Sequence, residues 1–266
     1  MTSLSIGHAW DEAKVVIARR GGVLLTVALA LITLPVTLAG LMRPAVDGPA
    51  PGSLGGPAML LAIAASLWGQ MAMALIAGPW DGSVGQAIGL AARRLWRPIA
   101  ASLMIMVPLI LLCSVLRLVA VGPTALAGGA ATPMTPAGAM VILLFIAMIV
   151  AVTVRLCLIG VVAVREELSV TALLRRSLAL SRGHFWKLLA MFLLLVIASL
   201  VITMSFGSVL GLVIAKTIGT PRPWSIGALL TALFGGLVQA GYSIVFTVML
   251  VRIHAQLTGD AAIIRP

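Results

Sequence analysis

The stretch SIGHAWDEAKVVIARR (residues 5–20) returns in altered form as SVGQAIGLAARRLWR (83–97) and SVTALLRRSLALSRGHFWK (169–187). Each is basic, begins at a serine and leads into a pair of long apolar segments. In the first, Ile6, Ala9, Trp10, Ala13 and Ile17 share one face at helical spacing; in the second, Val84, Ala87, Ile88, Ala91 and Leu95 repeat the pattern. The third keeps it through Val170, Leu173 and Leu174, is widened by Leu178 and is broken by Ser177 and Ser181. This periodicity predicts helices with one apolar face, and Lys and Arg on the opposite face suit a membrane surface.

Working outward, the composition fixes the solvent. With 61% hydrophobic and 9% charged residues and a mean hydropathy of +1.18, the chain is no ordinary water-soluble domain, in which roughly 25% of residues are charged. Six apolar stretches reach or approach the ~20 residues that cross a ~30 Å hydrocarbon core. They are Gly21 to Met42, Ala58 to Gly78, Ile99 to Leu116, Ala137 to Val164, Leu188 to Ala215 and Ser225 to Val251. Each is expected to be a helix, because backbone groups facing lipid need partners within their own segment. The alternating strands of a transmembrane barrel are absent. The expected fold is an all-α integral membrane protein, a single domain over residues 1–266. Its six transmembrane helices form three repeated units, about 2–78, 79–164 and 165–266, each an amphipathic interfacial helix plus a helical hairpin.

Basic residues give the orientation. With the N-terminus in the cytoplasm, Lys14, Arg19, Arg20, Arg93, Arg94, Arg97, Arg165, Arg175, Arg176, Arg182, Lys187, Arg252 and Arg265 lie there. Only Arg43, Arg117, Lys216 and Arg222 then lie opposite, so both termini are expected inside. The formal charge of +11 does not point to nucleic acid, because the basic residues hug the ends of apolar segments. Anionic lipid headgroups are the expected counter-charge. A charged leader with Asp11 and Glu12 precedes the first apolar run, which is therefore expected as a retained span and not a signal peptide. Cys113 and Cys157 fall inside spans and are expected as buried thiols outside any disulfide.

The outer loops, Arg43 to Pro57, Val119 to Pro136 and Lys216 to Trp224, are short and rich in Gly and Pro. Ser83 and Gln86 fit a capping box at the second repeat, and Glu166 and Glu167 sit against the N-terminus of the third. Two readings of the basic helices stand side by side. They anchor each hairpin by snorkelling side chains and lipid contacts, or they meet around the repeat axis as a docking surface for a lipid headgroup or a protein. Either way the headgroup contacts are expected at Arg93, Arg94, Arg97, Arg175, Arg176, Arg182 and Lys187.

Arg155 is the one charge inside a predicted span. It precedes Arg165 by about ten residues, or roughly 15 Å, which predicts a position near mid-membrane. An ion at that depth costs at least ~2.5–3.5 kcal/mol and marks a candidate ligand site. Gln70 and Gln239 are the expected polar companions, backed by Ser205 and Ser243. Gly235, Gly236 and Gly241 predict a small-residue packing face, Gly207 and Gly211 form a GxxxG match, and Pro35 and Pro108 predict kinks. His8, His184 and His254 fall at span ends, while Asp47, Asp81 and Asp260 are scattered singly. No metal-binding, nucleophile-elbow or phosphate-loop motif is present. No catalytic residue, metal or cofactor is expected.

Residues Arg155 to Leu195 resemble a segment of bacterial six-span proteins similar to the membrane domain of glycerophosphoryl diester phosphodiesterase. The resemblance rests on Arg155, Leu156, Glu166, Leu174, Arg175, Arg176, Ser177, Leu180, Arg182, Gly183, Phe185 and Trp186. Gly160 and Leu178 depart from it, where that family often has Pro and an aromatic residue. The resemblance implies six spans in a bacterial inner membrane and an association with lipids. It carries over no phosphodiesterase residue, since the catalytic barrel of that enzyme has no counterpart in these residues. The expected function is a non-enzymatic lipid-binding or scaffolding module whose partners are anionic membrane lipids, with a protein partner or homo-oligomer left open. The alternative is an uncoupled transporter or exporter of a small amphiphile or lipid-derived anion.

Overall fold

A computed structural model describes residues 5–42, 55–121, 136–166, 168–219 and 224–259. The described residues form helices and their connections, without strands. The first helix runs through α1 (Ile6–Ala28), a π-turn (Leu29–Thr33) and α2 (Leu34–Leu41). It is followed by α3 (Gly55–Ile76), α4 (Val84–Arg94), α5 (Trp96–Val121) and α6 (Pro136–Leu156). Then come α7 (Ile159–Arg165), α8 (Val170–Ser181), α9 (Phe185–Thr217) and α10 (Ile226–Thr258). Six segments are long and apolar enough to cross a membrane: Ile6–Leu41, Gly56–Ile76, Val84–Leu116, Gly138–Arg165, Phe185–Thr217 and Ile226–Thr258. The chain is a multi-pass membrane protein. Most of the expected outer-loop residues lie outside the described residues.

The Ser5 amide donates to Gln256 Oε1 at 3.3 Å, so the start of α1 and the end of α10 share one end of the bundle, here the terminal face. At that end α10 is the hub: every residue from Thr247 to Ala255 is buried. It packs on α1, the π-turn, α2, α3 and α9. The first, second and sixth spans bury 39%, 44% and 50% of their most apolar stretches, against 17%, 17% and 11% for the third, fourth and fifth. The bundle therefore has a packed half and a lipid-exposed half. In the packed half, small residues let helices approach. A Cβ on Gly40 would sit 2.7 Å from Ala232 Cβ, and one on Gly236 would sit 3.0 Å from both Thr33 Cγ2 and Thr37 Oγ1. Of the expected small-residue face, Gly236 alone packs this tightly; Gly235 and Gly241 face open space. The GxxxG match is not a close contact either, since nothing lies within 4 Å of Gly211.

Three local expectations change. The first basic stretch is not a separate interfacial helix. The helix runs through Gly21 and Gly22 without a break, so the 36-residue segment Ile6–Leu41 is continuous. At 1.5 Å per residue it is about 54 Å long, which leaves its amphipathic turns outside a ~30 Å hydrocarbon core. The fourth apolar run is divided, with Cys157 and Leu158 forming a turn between α6 and α7. Ile159, Val161, Val162, Ala163 and Val164 of α7 are buried in the protein core, with α7 packed on α3 and α8, and are apolar for that reason. The 21 residues of α6 alone measure about 31 Å, and Arg155 is its last residue but one. Arg155 thus lies near the end of α6, beside α8, whereas the sequence reading sets it within one uninterrupted span. Finally, Pro35 is accompanied by the π-turn Leu29–Thr33. Pro lacks the N–H of an α-helical bond, and a π-turn rearranges the carbonyls left over. Thr33 Oγ1 meanwhile donates to Gly236 O at 3.1 Å across to α10.

Gly236→Leu should destabilise the protein by ~1–3 kcal/mol through overpacking, whereas Gly211→Leu should stay within ~0.5 kcal/mol. Thermal melting of the detergent-solubilised chain checks the pair, and equal melting temperatures would refute the packing assigned to Gly236.

Candidate functional site

Each basic stretch carries an Arg-Arg pair: Arg19-Arg20, Arg93-Arg94 and Arg175-Arg176. Successive residues of a helix point about 100° apart, so the two members of a pair cannot face the same surroundings. In all three the second arginine is bonded to another part of the protein, although Arg20 and Arg176 remain exposed. Arg20 Nη1 donates to Ile76 O at 2.6 Å and Gly78 O at 3.0 Å, at the end of α3. Arg94 Nη1 donates to Val164 O at 2.5 Å, near the end of α7. Arg176 Nε lies 3.3 Å from Glu166 Oε2. The last carbonyls of a helix have no partner within it and carry the negative end of its dipole, so a guanidinium satisfies both demands. Arg165 adds to the same layer, lying so close over Gly78 that a side chain there has no room. Ser177 Oγ donates to Arg155 O at 3.0 Å near the end of α6. The serines expected to break the apolar face of α8 therefore continue it: Ser177 and Ser181 are buried with Leu173 and Leu174.

Beneath these caps lies a buried charged cluster that the sequence reading missed. Arg252 and His254 of α10 are only 7% and 4% exposed. Glu12 of α1 attracts Arg252 while Arg20 repels it, and Glu12 also holds His8 at 2.9 Å. His254 Nε2 lies 3.8 Å from Glu166 Oε1, so Glu166 bridges α8 and α10 and is not aimed at the start of α8. That N-terminus is instead capped by Ser169, which accepts from the Ala172 amide. Glu167, its expected companion, lies outside the described residues. The sequence signal for this cluster is that Ile253, Ala255 and Leu257 continue the apolar pattern past Arg252. No group of three or more His, Cys, Asp or Glu among the described residues is placed to hold a metal ion.

The first arginine of each pair, Arg19, Arg93 or Arg175, is exposed. Among the described residues these three have no hydrogen-bond or ion-pair partner. Of the seven expected headgroup residues, Arg94 and Arg176 are held by the protein and Arg97 lies 5.8 Å from the Trp96 ring. Arg93, Arg175, Arg182 and Lys187 face outward. Exposed tryptophans accompany them: Trp10 in the second turn of α1, Trp96 at the start of α5 and Trp186 at the start of α9. Arg155 is exposed as well, with its Cζ 5.7 Å from the Phe185 ring. Gln70 and Gln239, its expected companions, are half-buried on α3 and α10. Neither helix packs appreciably on α6, so the three residues do not form one polar centre. Ser243 is buried on α10 with a hydroxyl that has no hydrogen-bond partner among the described residues.

Arg20→Gln, which removes two charge-assisted bonds to the end of α3, should cost ~1.5–3 kcal/mol of stability. Arg19→Gln should change stability by less than ~0.5 kcal/mol. Thermal melts of the two variants in detergent make the comparison, and equal losses would refute the division of labour within the pair.

Comparison with curated proteins and with solved structures gives no match. A family model does match, over residues 4–257, which include α1 through α7 and α8 to within one residue of the end of α10. That family is described as a domain of unknown function, DUF7847, and the chain belongs to it.

Proposed function

We propose that this protein is a non-enzymatic, polytopic inner-membrane module that interacts with anionic lipids, its terminal face and both chain ends lying in the cytoplasm. The observation that carries the reading is the split of the three Arg-Arg pairs. The second arginines are bonded to groups of other segments, while Arg19, Arg93 and Arg175 are exposed without a partner among the described residues. A cation with no protein partner at a membrane surface is best neutralised by a lipid headgroup, and each is worth ~1 kcal/mol near an anionic leaflet. Trp10, Trp96 and Trp186 support the same level, since tryptophan prefers the headgroup region. The excess of Lys and Arg at this end supports the cytoplasmic orientation. Recurrence of the split pair in all three basic stretches supports a threefold repeat, with the first unit fused to its span. The resemblance over residues 155–195 favours an association with lipids.

One observation favours the second reading, an uncoupled transporter of a small amphiphile or lipid-derived anion. α5 and α6 pack on each other and reach the rest through α7, α8 and α9, with at most marginal contact to α3 and α10. A hairpin attached in this way leaves room for lateral entry from the bilayer. Transport of a fluorescent phospholipid across liposomes containing the protein would favour this reading over a scaffold.

The triple variant Arg19→Gln, Arg93→Gln, Arg175→Gln should retain its melting temperature and lose most of its preference for phosphatidylglycerol over phosphatidylcholine in liposome-partition assays. Three cations at ~1 kcal/mol each correspond to a hundredfold order of change. An unchanged preference would overturn the lipid reading. A cysteine at Gly55 should react with an impermeant maleimide in intact cells and one at Ser83 should not; the reverse pattern would invert the orientation.

A further inference from the structure

We infer that Arg155 holds the phosphodiester of one membrane phospholipid, seated along the exposed face of α6 beside Phe185 of α9. This rests on the anionic-lipid reading above and names a defined site within it. The end of α6 is already satisfied from α8, because Ser177 Oγ donates to Arg155 O. The Arg155 guanidinium is therefore not needed as a cap, and it is exposed. Among the described residues no carboxylate pairs with it. Its position is nevertheless defined, with Cζ 5.7 Å from the Phe185 ring, which packs edge-on against Trp186 at 5.6 Å. A guanidinium over an aromatic face keeps its in-plane N–H donors free for a bidentate anion, and phosphate matches that fork.

Depth and surface select a lipid as the anion's source. The length of α6 places Arg155 about one hydrocarbon thickness from Pro136, where headgroup phosphates lie. Leu144, Ala147, Ala151 and Arg155 follow one another at helical spacing on a single face of α6. Leu144 and Ala147 are exposed and Ala151 is half-buried, so this face offers an apolar surface that ends at the guanidinium. On α9, Phe185 flanks the guanidinium, while Leu189 and Phe192 pack against the protein core, Phe192 on Phe246 of α10. An acyl chain along the exposed face of α6 and a phosphate at Arg155 use the apolar surface and the cation at once. Free phosphate would use only the guanidinium.

The test uses the full chain purified in detergent, with native mass spectrometry counting retained lipid after titration with dioleoylphosphatidylglycerol or dioleoylphosphatidylcholine. Wild type should keep one phosphatidylglycerol beyond the weakly held ones. Arg155→Gln should bind that lipid about tenfold more weakly or worse, and Phe185→Leu a few-fold more weakly. Lys216→Gln, at the far end of α9, should keep it. Phe185→Leu and Arg155→Lys, which retain the charge and lose the ring or the fork, decide the matter if Arg155→Gln does not fold. Unchanged retention in the folded Arg155 variants, with wild type still preferring phosphatidylglycerol, overturns this site and leaves the general reading standing. Absence of any such preference in wild type overturns both. Inorganic phosphate raising the melting temperature as much as phosphatidylglycerol does, through Arg155, overturns the lipid as source.

Discussion

The end of a membrane helix leaves carbonyls that neither lipid nor the helix itself can satisfy, and in this chain most of the terminal face is organised around that demand. Arg20 reaches from α1 to the end of α3, Arg94 from α4 to the end of α7, and Ser177 from α8 to the end of α6. Each bond joins segments distant in sequence, so the caps also fix how the helices are arranged. The Trp68 indole adds a similar tie from α3 to Ile88 O on α4 at 2.9 Å. Because the caps occupy the inner arginines, the short helices α4, α7 and α8 are drawn onto the bundle. Their apolar residues Ala87, Ala91, Val162 and Leu173 are then fully buried.

The presence of six spans was legible because length and composition alone decide whether a segment crosses a bilayer. Their limits were not, because apolar residues serve lipid and protein core alike. The run from Ala137 to Val164 reads as one span, yet its last part is α7, which is apolar for burial in protein. That ambiguity is why the sequence reading sets Arg155 within one uninterrupted span and not near the end of a helix. The same ambiguity hid Arg252 and His254, since the apolar count stops at Val251 while α10 continues buried to Ala255. Ser177 looked like a defect in an apolar stripe because its role depends on a carbonyl 22 residues away. The capping box at Ser83, by contrast, is local, with Ser83 Oγ accepting from the Gln86 amide at 3.2 Å and Gln86 Oε1 from the Ser83 amide at 3.0 Å. Local chemistry could be read directly; pairings across the fold could not.

The uneven packing of the spans follows from the solvent. Lipid tails give helices no hydrophobic reason to associate, so contact depends on close approach and on polar ties. The first and sixth spans have both, through Gly40 against Ala232, Gly236 against Thr33 and Thr37, and the Thr33 bond to Gly236 O, and the second approaches the first closely at Gly69 against Leu31. The third to fifth spans expose large side chains such as Leu103, Leu144 and Leu194, which cost nothing in a bilayer. α9 joins the packed half along α10 through Phe192, Phe246 and Tyr242, with ring centroids 6.2 and 5.5 Å apart. α5 and α6 remain attached chiefly to α7, α8 and α9. The half of the protein most open to lipid is thus also the half that carries Arg155.

The Arg-Arg pairs show how one residue type does two jobs without any change in chemistry. A helix turns about 100° between neighbours, so when the second arginine is fixed by a carbonyl or by Glu166, the first is directed away from the protein. Fixing Arg20, Arg94 and Arg176 therefore sets where Arg19, Arg93 and Arg175 point. The bond fixes the backbone that carries both, so it sets the side of the helix from which the outer side chain departs. A lone arginine at the interface lacks that support and needs another platform. Arg155 has one in the Phe185 ring.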